Sequence, residues 1–403
     1  MNNLYILIFP YTFLMHMIEK IKNYSLPEKK IQLVNVFLTF LISFYLIFHF
    51  LSHLFKFHYV KSITGFVSAI SITFILLFLN KITRKYFYLT ALYVLILVIW
   101  SSITQNNSIL TYKWNYIIFI MLAAGFLVAN GIFNSLISRI LFIIMSLVFI
   151  YCYFIQTEVV IQGSYLFNMN RNYVSSYLMT LSSLIYITDY LEEKRKIVIW
   201  PALITLLLSI KSQSRTWLVI SAILFITVFI FFYRDQFKKY FAEKIHKNKV
   251  FRFFLIFVMI SMIVLIFLFI LKHSRFATVG IMNSSAKQRL YLYINFFQEL
   301  TFGNALSGFK SEYMILKGFR HLHNSFLQLW MYTGIAALPA FAAIAWMIHY
   351  YYRKAKFLLL ILLLFCLACL SEAVFFFRYP DLILFSLWFI AINNTLEKET
   401  KAD

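Results

Sequence analysis

KHSRFATVGIMNSSAKQRLYLYINFFQELTFGNALSGFKSEYMILKGFRHLHNSFLQLWMYTG, residues 272–334, is the stretch on which the reading of this chain turns. From Lys272 to Arg320 it is the longest segment without an apolar run of membrane length. It is basic, and it leads into His321, Leu322, His323 and Asn324, where an apolar helix begins. Apolar runs of about 20 residues recur along the rest of the chain, each long enough to cross a hydrocarbon core as a helix. The 403 residues are 62% hydrophobic, 20% aromatic and 13% charged, whereas an ordinary soluble domain carries roughly 25% charged residues. The mean hydropathy of +0.80 agrees. The expectation is an all-α fold, a polytopic transmembrane helical bundle of about 12 spans. Residues 1–403 are expected to form a single integral membrane domain, with residues 272–322 one long loop on the non-cytoplasmic face carrying a surface helix.

Basic clusters orient membrane helices, because Lys and Arg are retained on the cytoplasmic side. The connector Glu19–Lys30, the loop with Lys81, Arg84 and Lys85, the cluster Lys194–Lys196, the connector Arg234–Arg252 and the cluster Arg353–Lys356 are such signals. Spans are expected at 31–55, 59–80, 86–104, 109–130, 132–155, 174–191, 197–209, 218–233, 253–271, 326–352, 357–377 and 382–394. Under one alternation every basic cluster falls on one side. The first run, Leu4–Met17, contains Pro10; it either crosses or lies in the interface. It lacks a charged n-region and a small-residue cleavage site, so it is not read as a removable signal.

Cys152, Cys366 and Cys369 lie in apolar runs and read as small core residues, with no disulfide framework and no metal site. In a soluble protein the formal net charge of +22 would suggest nucleic acid. Here part of the excess is the cytoplasmic orienting charge, and no nucleic-acid partner is expected.

What remains is charge on the outer side: Arg171, Lys211, Arg215, Lys272, Arg275, Lys287, Arg289, Lys310, Lys317, Arg320 and Arg378. Acidic residues there are fewer, namely Glu158, Glu299, Glu312, Glu372 and Asp381. Positive charge placed against the orientation rule suits a polyanion presented at the membrane surface, such as a lipid diphosphate, and arginine binds phosphate oxygens with a planar donor fork. For any single lysine the alternative is an anionic lipid headgroup.

Arg215, in SQSRTWLV, stands where two short apolar runs meet, a position that normally faces protein or a wet cavity. Arg289 lies on an expected surface helix. Ser285–Gln288 has capping-box spacing, and Leu290, Tyr293, Ile294, Phe297 and Leu300 form an apolar stripe at helical period. Gly303 and Gly308 permit a turn before His323. His323 is either a general base or proton shuttle or a helix-start histidine satisfied by backbone. The chain has no Asp-x-Asp, Walker loop, G-x-S-x-G or H-E-x-x-H motif, which disfavours ATP-driven and nucleotide-sugar chemistry.

His323, Asn324, nine residues and then Gly334, with SRTWL around Arg215, AKQRLYLY around Arg289 and FNMNRNYVSSYL at an earlier outer helix start, resemble the O-antigen ligase and O-antigen polymerase superfamily of bacterial membrane glycosyltransferases. Ala337 stands where many members carry a second glycine. The resemblance implies a metal-independent, inverting transfer of a glycan from undecaprenyl diphosphate at the periplasmic face of the inner membrane, without a cofactor. Arg215, Arg289 and His323 would be catalytic. Arg171, Lys211, Asn324, Arg320 and Arg378 would bind substrate. The acceptor would be a second lipid-linked glycan for a polymerase, toward which NRNYVSS and the aromatic content lean, or lipid A core for a ligase. Membrane lipids and a chain-length regulator or other polysaccharide-assembly proteins are the expected partners. A lipid-linked oligosaccharide flippase is the reading from another class.

Overall fold

The computed structural model describes residues 28–55, 63, 67, 70–72, 75, 81–104, 109–155, 171–192, 197–212, 214–247, 284–309, 322–372 and 378–399. Among these residues every regular element is helical: α1 (Glu28–Phe55), α2 (Lys81–Thr104), α3 (Ile109–Ala129), α4 (Ser135–Ile155), α5 (Arg171–Leu191), α6 (Trp200–Ser212), α7 (Arg215–Lys247), α8 (Ser284–Gln298), α9 (Phe302–Ser307), α10 (Ser325–Thr333), α11 (Leu338–Lys354), α12 (Lys356–Ser371) and α13 (Asp381–Glu399). Among the described residues, five stretches are long and apolar enough to cross a membrane: Gln32–Leu51, Lys85–Thr104, Ser135–Phe154, Arg215–Phe232 and Ser325–Lys354. Shorter apolar helices add Ile117–Ala129, Trp200–Ser212, Lys356–Ser371 and Asp381–Thr395. The chain is a membrane protein. Its exposed Phe40, Leu92, Ile96, Leu147 and Phe154 would be a liability in water and are the ordinary surface of a helix in lipid.

At the centre lies α5, whose residues 174–189 are buried without interruption. It is too rich in hydroxyls to count among the five apolar spans, and several of those hydroxyls are bonded within the protein. Thr180 donates to the Ser176 carbonyl and Thr188 to that of Leu184. Ser175 meets Ser212 of α6, and Ser209 meets Ser221 of α7. Lipid offers polar groups no partner, so such a helix is stable only when neighbours cover it. α13 approaches α3 closely: a Cβ on Gly125 would stand 2.6 Å from Phe385 Cβ and 2.7 Å from the Ser386 nitrogen.

The expected span 326–352 falls within the apolar stretch Ser325–Lys354, but its helix is interrupted. α10 ends at Gly334 (φ 54°), a 3-10 turn covers Gly334–Ala337, and α11 starts with Pro339 in its first turn. α2 satisfies the backbone exposed there. Tyr93 Oη donates to the Ala336 carbonyl at 2.8 Å and accepts from Ala340 N–H at 3.1 Å, while Thr104 Oγ1 donates to the Tyr332 carbonyl.

Other boundaries differ because charge does not end a helix. Lys81, Arg84 and Lys85, expected in a loop, form the start of α2, and α7 runs through the basic connector to Lys247; Lys and Arg are good helix formers. The break expected at 210–217 narrows to residues 213–214 between α6 and α7. Of the expected run 357–377, residues to Ser371 are helical and Glu372 closes the helix, while 373–377 lie outside the described residues. The expected spans 59–80, apart from six residues, and 253–271, the run 4–17, and residues 272–283 and 310–321 of the loop lie outside the described residues.

Candidate functional site

α8 places Arg289. Its residues Arg289, Leu292, Tyr293 and Phe296 share one face at helical spacing. Leu292 and Phe296 pack on Phe309, Leu322 and Met331. The helix begins at Ser284, so Ser285 sits inside the first turn and not at the cap. Of the expected apolar stripe, Leu290, Ile294, Phe297 and Leu300 are exposed, whereas Tyr293 turns to the protein. The helix therefore has two apolar faces, one packed on the protein and one of the kind that lies in a membrane interface.

Beyond α9, Gly308 (φ 85°) turns the chain back against α10, where Phe309 N–H donates to the Met331 carbonyl at 2.8 Å. Gly303 lies within α9 in open space and makes no turn. His323 is the one non-glycine residue with positive φ (55°) among the described residues, a conformation that costs a residue with a Cβ roughly 1–2 kcal/mol. Asn324 stabilises the strained turn from both sides. Its Oδ1 accepts from Leu327 N–H at 3.0 Å and caps α10, and its Nδ2 donates to the Leu370 carbonyl at 3.4 Å at the end of α12.

The Glu372 carbonyl, and the Leu370 carbonyl a second time, are met from the same quarter. Ser325 Oγ donates to the Glu372 carbonyl at 2.8 Å, and Tyr293 Oη lies 3.4 Å from the Leu370 carbonyl and 3.3 Å from that of His323. Burial pushes the Tyr293 phenol up, against the opposing pull of Arg289 and Asn324, so it stays a protonated donor near neutral pH.

This framework brings one carboxylate between the two groups of interest. Glu372 Oε1 accepts from Arg289 Nη2 at 3.0 Å and lies 3.4 Å from Thr216 Oγ1 at the start of α7. Its Oε2 lies 3.5 Å from His323 Nδ1. The Glu372 side chain is 7% exposed, against 29% for Arg289 and 31% for His323, so the acid is inside and its two partners face outward.

Further contacts continue the cluster across the same end of the bundle. Ser214 Oγ donates to Asn172 Oδ1 at 2.7 Å, tying the α6–α7 junction to the start of α5. Arg378 Nη1 donates to Tyr173 Oη at 2.7 Å, and its backbone N–H caps onto Asp381 at 2.9 Å. Arg215 is the first residue of α7, partly buried between Ser214 and Thr216 in sequence; Lys211 is exposed in the last turn of α6; Arg171 is the first residue of α5. Arg320 and His321 lie outside the described residues. At the other end of α5, about 25 Å away at 1.5 Å per residue, Asp189 holds Arg139 at 2.8 Å and Ser135 at 2.5 Å.

Sequence reasoning assigned no role to Glu372, Thr216 or Ser325. The available signal was the scarcity of acid on this side, which makes any carboxylate at a helix end informative. Asn324, expected to bind substrate, is buried and holds two backbone groups, one at each of two helix ends. Asn324→Ala is expected to lower stability by about 1–2 kcal/mol, while Asn324→Asp keeps the α10 cap and loses the donation to Leu370, giving a smaller loss. Thermal unfolding in detergent checks the order.

The chain matches no protein-family model, and neither curated proteins nor solved structures provide a significant match.

Proposed function

We propose that this protein is a glycosyltransferase of the inner membrane of a bacterium, transferring an oligosaccharide from undecaprenyl diphosphate to an acceptor hydroxyl at the periplasmic face. The acceptor in this reading is a second lipid-linked repeat unit, so the product is a polymer. The observation that carries it is the meeting of Arg289 and His323 on Glu372 at one end of a membrane bundle, both half-open to the surroundings. The exposed Lys85, Arg353, Lys354 and Lys356 sit at chain positions that one alternation assigns to the opposite, cytoplasmic end. In the full topology about 12 spans would cross, with residues 272–322 outside.

The chemistry follows from the side chains. The acceptor oxygen attacks the anomeric carbon from the face opposite the diphosphate, and the carbon–oxygen bond to phosphate breaks with its electron pair leaving on the diphosphate. The hydroxyl proton passes to His323 Nε2, the nitrogen opposite the one facing Glu372. Arg289 and Arg215 neutralise the leaving diphosphate by charge-assisted hydrogen bonds, with Arg378 and Lys211 adding to the field. A lipid-borne donor already carries its activation, so neither nucleotide nor metal is required.

The test uses the full chain in liposomes with an undecaprenyl-diphosphate-linked repeat unit and EDTA. Chain growth with release of undecaprenyl diphosphate is the expected result. Transfer to lipid A core in place of chain growth would change the acceptor to that of a ligase. Movement of the lipid-linked glycan across the membrane with no new glycosidic bond would overturn the enzyme reading.

A further inference from the structure

We infer that Glu372 is a positioning residue that occupies Arg289 while the site is empty, yields it to the donor diphosphate, and then serves as counter-charge to His323 as that ring takes the acceptor proton. The inference rests on the transferase reading above.

The placement of the acid is unfavourable without a role. Glu372 is the residue that closes the C-terminus of α12, with its N–H on the Ala368 carbonyl. A carboxylate there meets the negative end of the helix dipole. It is also buried, and removing a carboxylate from water costs several kcal/mol unless it is paired. Arg289 and Thr216 are the partners of one oxygen, and the other faces His323 at 3.5 Å. That separation is long for a hydrogen bond and fits a contact that tightens when the ring becomes charged.

Accessibility gives the order of exchange. Glu372 is anchored on both sides of its own peptide, by Ala368 and by Ser325, so the carboxylate stays in place. Arg289, on the protein-facing side of α8 but itself 29% exposed against 7% for Glu372, meets an incoming anion first. When the guanidinium turns to the diphosphate, Glu372 gives up the Arg289 bond to Oε1 while its Oε2 still faces His323. The imidazolium formed as the acceptor loses its proton restores the pairing at the moment of transfer. A carboxylate and a diphosphate thus use the same arginine at different stages.

Glu372→Gln keeps the volume and removes the charge. The expected result separates two readouts. Affinity of the full-length protein for undecaprenyl diphosphate, measured by direct binding, rises by about tenfold, because the competing anion beside Arg289 is gone. Turnover falls on the order of 100-fold, because the base has lost its counter-charge. Glu372→Asp, with a shorter but charged side chain, restores part of the turnover and part of the competition. A merely structural acid would show weaker binding and lower turnover together with a lower unfolding temperature; that pattern overturns the inference, as does unchanged binding and turnover in Glu372→Gln. If wild type forms no glycosidic bond with any lipid-diphosphate donor, the transferase reading fails. The placeholder role is then judged by diphosphate binding alone, and tighter binding in Glu372→Gln still supports the competition for Arg289.

Discussion

His323→Ala and Arg289→Ala are each expected to reduce transfer by at least about 100-fold, the common cost of removing one well-placed electrostatic or proton-transfer group. Arg215→Ala is expected to do the same. The reason differs by residue: loss of His323 removes the acceptor for the hydroxyl proton, and loss of either arginine leaves the diphosphate to depart without neutralisation. All three variants should insert in the membrane at wild-type levels, since none lies in the packed core of the bundle. Glycan product from membranes carrying each variant, normalised to protein detected on blots, is the measurement. Normal product in all three would remove the site.

The largest structural effect is expected at Gly334. Its φ of 54° with ψ of −135° is a conformation suited to glycine. A Cβ there would overlap the Leu306 carbonyl oxygen and stand 2.5 Å from the Gly308 nitrogen. Backbone atoms of α9 cannot move aside as a side-chain tip would. Strain and overpacking together put Gly334→Ala at about 3–5 kcal/mol of lost stability. The same change should reduce activity, because α10 carries His323 at its start and α9 leads from Arg289. Gly303→Ala is the internal control: a Cβ there meets nothing nearer than Thr301 Oγ1 at 4.0 Å, and alanine favours the helix. Unfolding temperature in detergent that falls equally for both substitutions would refute the close-packing argument.

Gly334 also shows how a motif glycine acquires a physical reason. In the sequence it is the end of a spacing from His323 and Asn324; in the fold it is where α10 turns against the end of α9. Asn324 changes in the opposite direction, from a candidate contact with substrate to the cap of α10 and a donor to the end of α12. The α8 stripe was recognised at the right period, yet Tyr293 belongs to the protein side while Leu290 and Phe297 face outward. Periodicity identifies a helix, but two apolar faces on one helix are indistinguishable until a neighbour covers one of them.

Membrane residence and helical class were legible from the chain alone, because lipid denies hydrogen bonds to the backbone and long apolar runs have few other folds open to them. Arg289 and His323 were also legible as unusual charges beside helix ends. Their meeting on Glu372 was not: residue 372 is 83 positions from Arg289 and 49 from His323, and no local period links such distances. That contact exists because α12 ends beside α8 and the start of α10, and it took packing among three helices to bring an acid, an arginine and an imidazole within reach of one another.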